Sequence, residues 1–111
     1  MAQRRRFEAL VDEALASLPA EASAALDNVA IVIRDNGPRD LLGLYEGIPL
    51  TERDGSYAGV LPDVITLFRT AIIARCSRDA DLVREVRTTV LHELAHHFGI
   101  DDDRLHELGW S

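Results

Sequence analysis

The stretch from Asp79 to Phe98, followed by Gly99, constrains the fold of this chain more than any other segment. Leu82, Val86, Val90, Leu94 and Phe98 recur every four residues, a slightly slanting apolar stripe that only a helix can present to one side. Ser77 and Asp79 are both suitable N-caps. Asp79, Asp81 and Glu85 favour the positive end of the helix dipole. Gly99 stands where a glycine in left-handed geometry commonly ends a helix. A long helix with one apolar face needs a partner layer, and the rest of the chain has to supply it.

That layer reads as a small sheet with a second helix. Phe7, Leu10, Val11, Ala14, Leu15 and Leu18 repeat at helical spacing, and Pro19 closes the segment. "EASAAL" adds a further turn. "NVAIVI" is a short buried strand ending at Arg34, "DNGPRD" is a turn, and "LLGLYEG" is a second strand carrying two glycines. "IPLTERDGSYAGVLPD" is a polar loop, and "VITLFR" is a third strand rich in β-branched residues. A short terminal helix follows Gly99, with Glu107 as a charged position and Trp110 as a packing one. The pattern is α+β, in a single domain over residues 1–111.

Composition limits what such a domain contacts. The formal charge is −7 and every basic side chain except histidine is arginine. A net negative field repels nucleic acid and anionic lipid, and aromatics are too sparse for a stacking platform. Arg4, Arg5 and Phe7 superficially resemble a twin-arginine signal, but Glu8, Asp12 and Glu13 interrupt the apolar run that export requires. No segment is long enough to span a bilayer, so a cytoplasmic location is expected. Cys76 cannot form an intramolecular disulfide because it is the only cysteine, and after "AIIA" it reads as a small packing residue.

All four histidines lie near one end, in "VLHELAHHFGIDDDRLHELGW". His92 and His96 are one helical turn apart, on a face turned well away from Val90 and Leu94. Two imidazoles so placed can each give a nitrogen to one tetrahedral zinc ion. Glu93 stands beside them, suited to accept a proton from a metal-activated water. Gly99 at positive φ would turn the chain back beneath the metal, and Asp102, three residues on, is the preferred third ligand; Asp101 and Asp103 compete with it. His97 falls near Val90 in helical angle, so it is expected to be a core histidine or a donor behind a ligand. His106 is open between orienting a ligand carboxylate, supporting the site and facing solvent.

"HELAHHFGIDDD" resembles the active-site helix of the zincin metallopeptidases, and its HExxHxxGxxD spacing is similar to that of the metzincins with Asp replacing the third His. Together with "GLYEGIPLTER", "LPDVITLFR" and "TTVLHELAHHFGI", the chain from Val29 onward resembles a family of small bacterial zincin-like metallopeptidases. The resemblance implies a minimal zincin fold, a small mixed sheet packed on the active-site helix and an N-terminal helix. It implies His92, His96 and Asp102 as zinc ligands and Glu93 as general base. The only methionine is Met1, so the methionine-bearing turn of metzincins is absent. Few residues follow Asp102 to wall a cleft as in larger zincins.

The function expected from this reading is hydrolysis of a peptide or protein substrate by zinc-activated water. "VITLFR" is a candidate edge strand to align an extended peptide, though a core strand fits it equally. Tyr45 and Tyr57 are candidate donors to the oxyanion. The alternative is a non-catalytic, zinc-stabilised protein-interaction domain, in which His106 or a second aspartate closes the site.

Overall fold

An apolar run without polar alternation needs cover on both faces, and residues 64–68 of "DVITLF" are such a run save for Thr66. In the computed structural model, which describes residues 2–47 and 62–110, that run is the centre of the sheet. The described elements are helices α1 (Ala2–Ala16) and α2 (Ala20–Ala25), strands β1 (Val29–Arg34), β2 (Gly43–Glu46) and β3 (Asp63–Phe68), and helices α3 (Arg69–Ile73), α4 (Asp79–Phe98) and α5 (Asp102–Leu108). The strand order is β1-β3-β2. β1 runs parallel to β3, with Val29 opposite Asp63 and Arg34 opposite Phe68. β2 runs antiparallel to β3, with Gly43 opposite Leu67 and Glu46 opposite Val64. The sheet is therefore mixed, and the fold is the α+β arrangement expected.

Of the two readings of "VITLFR", the core strand is the one observed. β3, the "VITLFR" strand, is not an edge available to a peptide. It is hydrogen-bonded on both sides, to β1 and to β2, and Ile65, Thr66, Leu67 and Phe68 are buried as well. Among the described residues, the sheet edge beside the long helix is β2.

α4 lies against β2 and β3 and packs along α1. It buries Leu82, Val86, Val90, Leu91, Leu94 and Ala95, which join Phe7, Val11 and Ala14 of α1, Ile65 and Leu67 of β3, Leu105 of α5 and Trp110 in one core. Phe98 departs from the expected stripe and is 53% exposed. Four residues advance roughly 40° past a full helical turn, so a stripe begun at Leu82 has swung off the core by Phe98. Leu91 and Ala95 hold the inner side there instead.

The helix ends also differ in part. Arg78 is the N-cap of α4, in extended geometry and without a side-chain cap. Asp79 is the first helical residue, and its carboxylate is bound by the Arg6 guanidinium of α1, with Nε to Oδ1 at 3.2 Å and a second contact from Nη2. Gly99 has the expected left-handed backbone, φ 69°. Ile100 N–H then reaches back to the Ala95 carbonyl at 2.8 Å, which closes the last turn.

α3 has no counterpart among the sequence expectations. It follows β3 directly, and its Thr70 N–H donates to the Asp35 carbonyl at 3.0 Å. The Asp35 carboxylate joins three elements, accepting from Arg69 at 2.8 Å and from Arg4 of α1 at 2.9 Å. The Arg69 hydrogen bond holds that carboxyl below its ordinary range. Cys76 is half-buried against the core, and burial pushes its thiol up, which favours a packing role over a nucleophilic one. No helix of the described residues is long and apolar enough to cross a membrane.

Candidate metal centre

Leu91, Leu94 and Ala95 are fully buried. Helical geometry then leaves His92 and His96 to project from the opposite side of the last turns of α4. Both imidazoles are exposed, with the His96 side chain 74% accessible. With Glu93, Thr89, Leu41, Leu42 and Gly43 they line an open groove of about 140 Å³. The pair thus faces outward into a groove between helix and sheet edge.

Glu93 is less exposed, at 18%, and it is held. Its Oε1 accepts the backbone N–H of Tyr45 at 2.8 Å, while its Oε2 lies 3.8 Å from His96 Nδ1, beyond hydrogen-bond length. The strand register explains the first contact. Phe68 N–H donates to the Leu42 carbonyl at 2.9 Å, so Leu44 and Glu46 fall at the positions that bond to β3. Alternation turns the Tyr45 amide outward, toward α4.

The close approach of strand and helix depends on Gly43. A Cβ there would lie 2.7 Å from Thr89 Cγ2 of α4 and 3.2 Å from the Thr66 carbonyl oxygen. Glycine inside a strand often marks such an approach. That signal was present in "LLGLYEG".

His97 and Tyr45 meet beside the groove. His97 is not in the core: its side chain is 36% exposed, and its ring stacks on Tyr45 with centroids 3.9 Å apart and planes 16° from parallel. At this end of α4 that side of the helix meets Tyr45 of β2 and Asp63 of β3 at the sheet margin instead of the apolar core. Tyr45 does not offer its hydroxyl to the groove. Its O–H donates to Asp63 Oδ2 at 2.8 Å, and His97 Nε2 lies 3.9 Å from the same oxygen. Asp63 was not singled out in the sequence, because nothing local links it to residues 45 and 97. Tyr57, the other candidate oxyanion donor, lies outside the described residues.

Beyond Gly99, the three candidate acids separate by role. Asp101 is the N-cap of α5, its Oδ1 accepting Arg104 N–H at 2.8 Å. Asp102 and Asp103 are exposed in the first turn of that helix, and His106 is exposed in its last. Among the described residues, no three His, Cys, Asp or Glu side chains converge closely enough to hold a metal ion. The donor chemistry nevertheless suits zinc: two imidazoles one helical turn apart, sharing a groove, with carboxylates on the segment that follows.

A family model described as zincin-like metallopeptidase matches residues 23–110, starting slightly before the Val29 at which the sequence resemblance begins. Among curated proteins none matches the chain. With the family model covering most of its length, the chain belongs to the zincin-like metallopeptidase family.

Proposed function

We propose that this protein is a zinc-dependent peptidase in which His92, His96 and Asp102 hold the metal and Glu93 carries the proton. The supporting observation is that both imidazoles and the Glu93 carboxylate line one open groove, with that carboxylate fixed to the sheet edge. Asp102 is preferred over Asp101 because the Asp101 carboxylate is engaged as a helix cap.

When bound, a zinc ion supplies Lewis acidity at this groove, acidifying a water and polarising a carbonyl. The remaining work belongs to the chain. With Oε1 occupied by the Tyr45 amide, Glu93 Oε2 is the oxygen that takes a proton from the attacking water and returns it to the departing amine. Leu41, Leu42 and Gly43 form the wall across which a peptide lies. A groove this shallow and open suits an extended peptide segment better than an enclosed small molecule. The continuous core from α1 to the C-terminal turn is built without the histidines. That argues against the zinc-stabilised interaction domain, whose fold would depend on its metal.

The test is turnover of a quenched-fluorescence peptide library by the zinc-loaded protein. Glu93→Gln is expected to lower kcat by about 10²–10⁴-fold, the usual contribution of general base catalysis, while zinc binding persists. Unchanged hydrolysis in Glu93→Gln would remove Glu93 from the mechanism. His92→Ala and His96→Ala are expected to lose zinc affinity in chelator competition.

A further inference from the structure

We propose that Tyr45 is a positioning residue for Glu93, locked by Asp63 and His97 so that its backbone amide holds the carboxylate in place. The inference rests on the peptidase reading of Glu93 and extends it to three residues outside the HExxH segment.

Three contacts carry it. The Tyr45 amide donates to Glu93 Oε1 at 2.8 Å. The Tyr45 hydroxyl donates to Asp63 Oδ2 at 2.8 Å, anchoring the ring to the first residue of β3. The ring face stacks on His97, the residue after His96 on α4. One side chain therefore ties the edge strand both to the central strand and to the helix that bears Glu93. β2 is only four residues long, and a short edge strand on its own leaves its outward amides free to drift. The Asp63 bond and the His97 stack remove that freedom at the residue whose amide matters. Gly43 works on the same contact from the other end, since it lets β2 lie close enough to α4 for a main-chain amide to meet a glutamate. A base held within a fraction of an ångström of its working position keeps its rate advantage, whereas one that swings loses it.

The experiment uses the full chain and four single variants that leave residue 45 itself intact. Asp63→Leu removes the hydroxyl's acceptor and His97→Ala removes the stacking face. Asp63→Asn keeps an acceptor and His97→Phe keeps a face. Hydrogen exchange of the Tyr45 amide is measured by NMR in the zinc-free protein, with Glu93→Ala as the reference for loss of the carboxylate. Tyr45 protection is expected to fall by about tenfold, the equivalent of one hydrogen bond, in Asp63→Leu and His97→Ala. The amides of Val90 and Leu91 should stay as in the parent, and the two conservative variants should retain Tyr45 protection. In the zinc-loaded protein the disruptive variants are expected to lose about tenfold in kcat with KM within about twofold.

Unchanged Tyr45 protection in both disruptive variants overturns the proposal, as does undiminished kcat when the amide has been freed. If the zinc-loaded parent cleaves no peptide, the peptidase reading fails. The exchange measurement then decides the clamp alone: selective loss at Tyr45 upholds it and retention overturns it.

Discussion

The amide of Tyr45 and the carboxylate of Glu93 meet at 2.8 Å across 48 residues of sequence. An edge strand and a helix are thereby joined at the side chain proposed to move the proton. On that proposal, strand placement sets where the Glu93 carboxylate sits.

Gly43→Ala should destabilise by about 1–3 kcal/mol, the usual cost of overpacking a close contact. The added methyl would meet Thr89 Cγ2 at 2.7 Å. Combining it with Thr89→Ser removes the opposing methyl and keeps the Thr89 hydroxyl's bond to the Glu85 carbonyl, at 2.8 Å in the parent. Urea midpoints for the two singles and the double should show recovery of much of the loss. An additive double variant would place the crowding elsewhere.

Gly99→Ala has a different origin of cost. No heavy atom lies within 4 Å of a Cβ built there, but the backbone is at φ 69°. The penalty is then conformational, roughly 1 kcal/mol, and Gly99→Asn should cost less because asparagine tolerates left-handed geometry. Equal costs for Ala and Asn in thermal unfolding would point to something other than backbone conformation.

Leu94 and Phe98 belong to the same four-residue repeat, yet Leu94 is fully buried and Phe98 is 53% exposed. Leu94→Ala should lose roughly 2–5 kcal/mol. Phe98→Ala should fall within about 1 kcal/mol of the parent, as expected for a mostly exposed position. Chemical denaturation of both variants checks the contrast, and comparable losses would mean that Phe98 is packed.

Acid should release the Asp35 junction. Its carboxyl sits below the ordinary 3.8 through the Arg69 hydrogen bond. A group depressed in the folded state contributes stability above its unfolded value, and that contribution disappears as pH falls through the folded value. The stability gap between the parent and Arg69→Gln should therefore be constant above about pH 5 and shrink below about pH 3. Because Asp35 is solvent-facing, the gap should also narrow in high salt. A gap independent of pH in this window would assign Arg69's role to packing.

Zinc should raise the unfolding temperature with a concentration dependence set by its affinity for the folded chain. His92→Ala and His96→Ala should abolish most of that rise, and Asp101→Asn should leave it intact, since Asn also caps helices. Asp102→Ala should behave like the histidine variants. A full zinc response in Asp102→Ala, with loss in Asp103→Ala, would transfer the third-ligand role by one residue.

Much of the architecture was legible because it rests on periodicity. The α4 stripe, the strands "NVAIVI" and "VITLFR" and the break at Gly99 each correspond to an observed element. The outward projection of His92 and His96 followed from the same helical arithmetic. Phe98 escaped because a strict period of four outruns the helix, and His97 because the sheet margin it meets, at Tyr45 and Asp63, is set by long-range pairing. α3 is too short for periodicity to register. The Tyr45, Asp63 and His97 cluster was invisible for another reason: its members come from β2, β3 and α4, and only the strand order, with β3 between β1 and β2, brings them together. Asp79 and Ser77 looked like caps, but Arg78 takes that position and Asp79 is the first helical residue.

The backbone break at Gly99 divides the proposed ligands between two bodies. His92 and His96 spring from one stiff rod, so their backbone spacing is fixed and only side-chain rotation could fit them to an ion. Any acid that completes the set rides on the separate helix beyond the kink and can be re-aimed by changes at residues 99 and 100 alone. Discrimination among divalent cations would then be tuned at that elbow, without touching the motif by which such proteins are recognised.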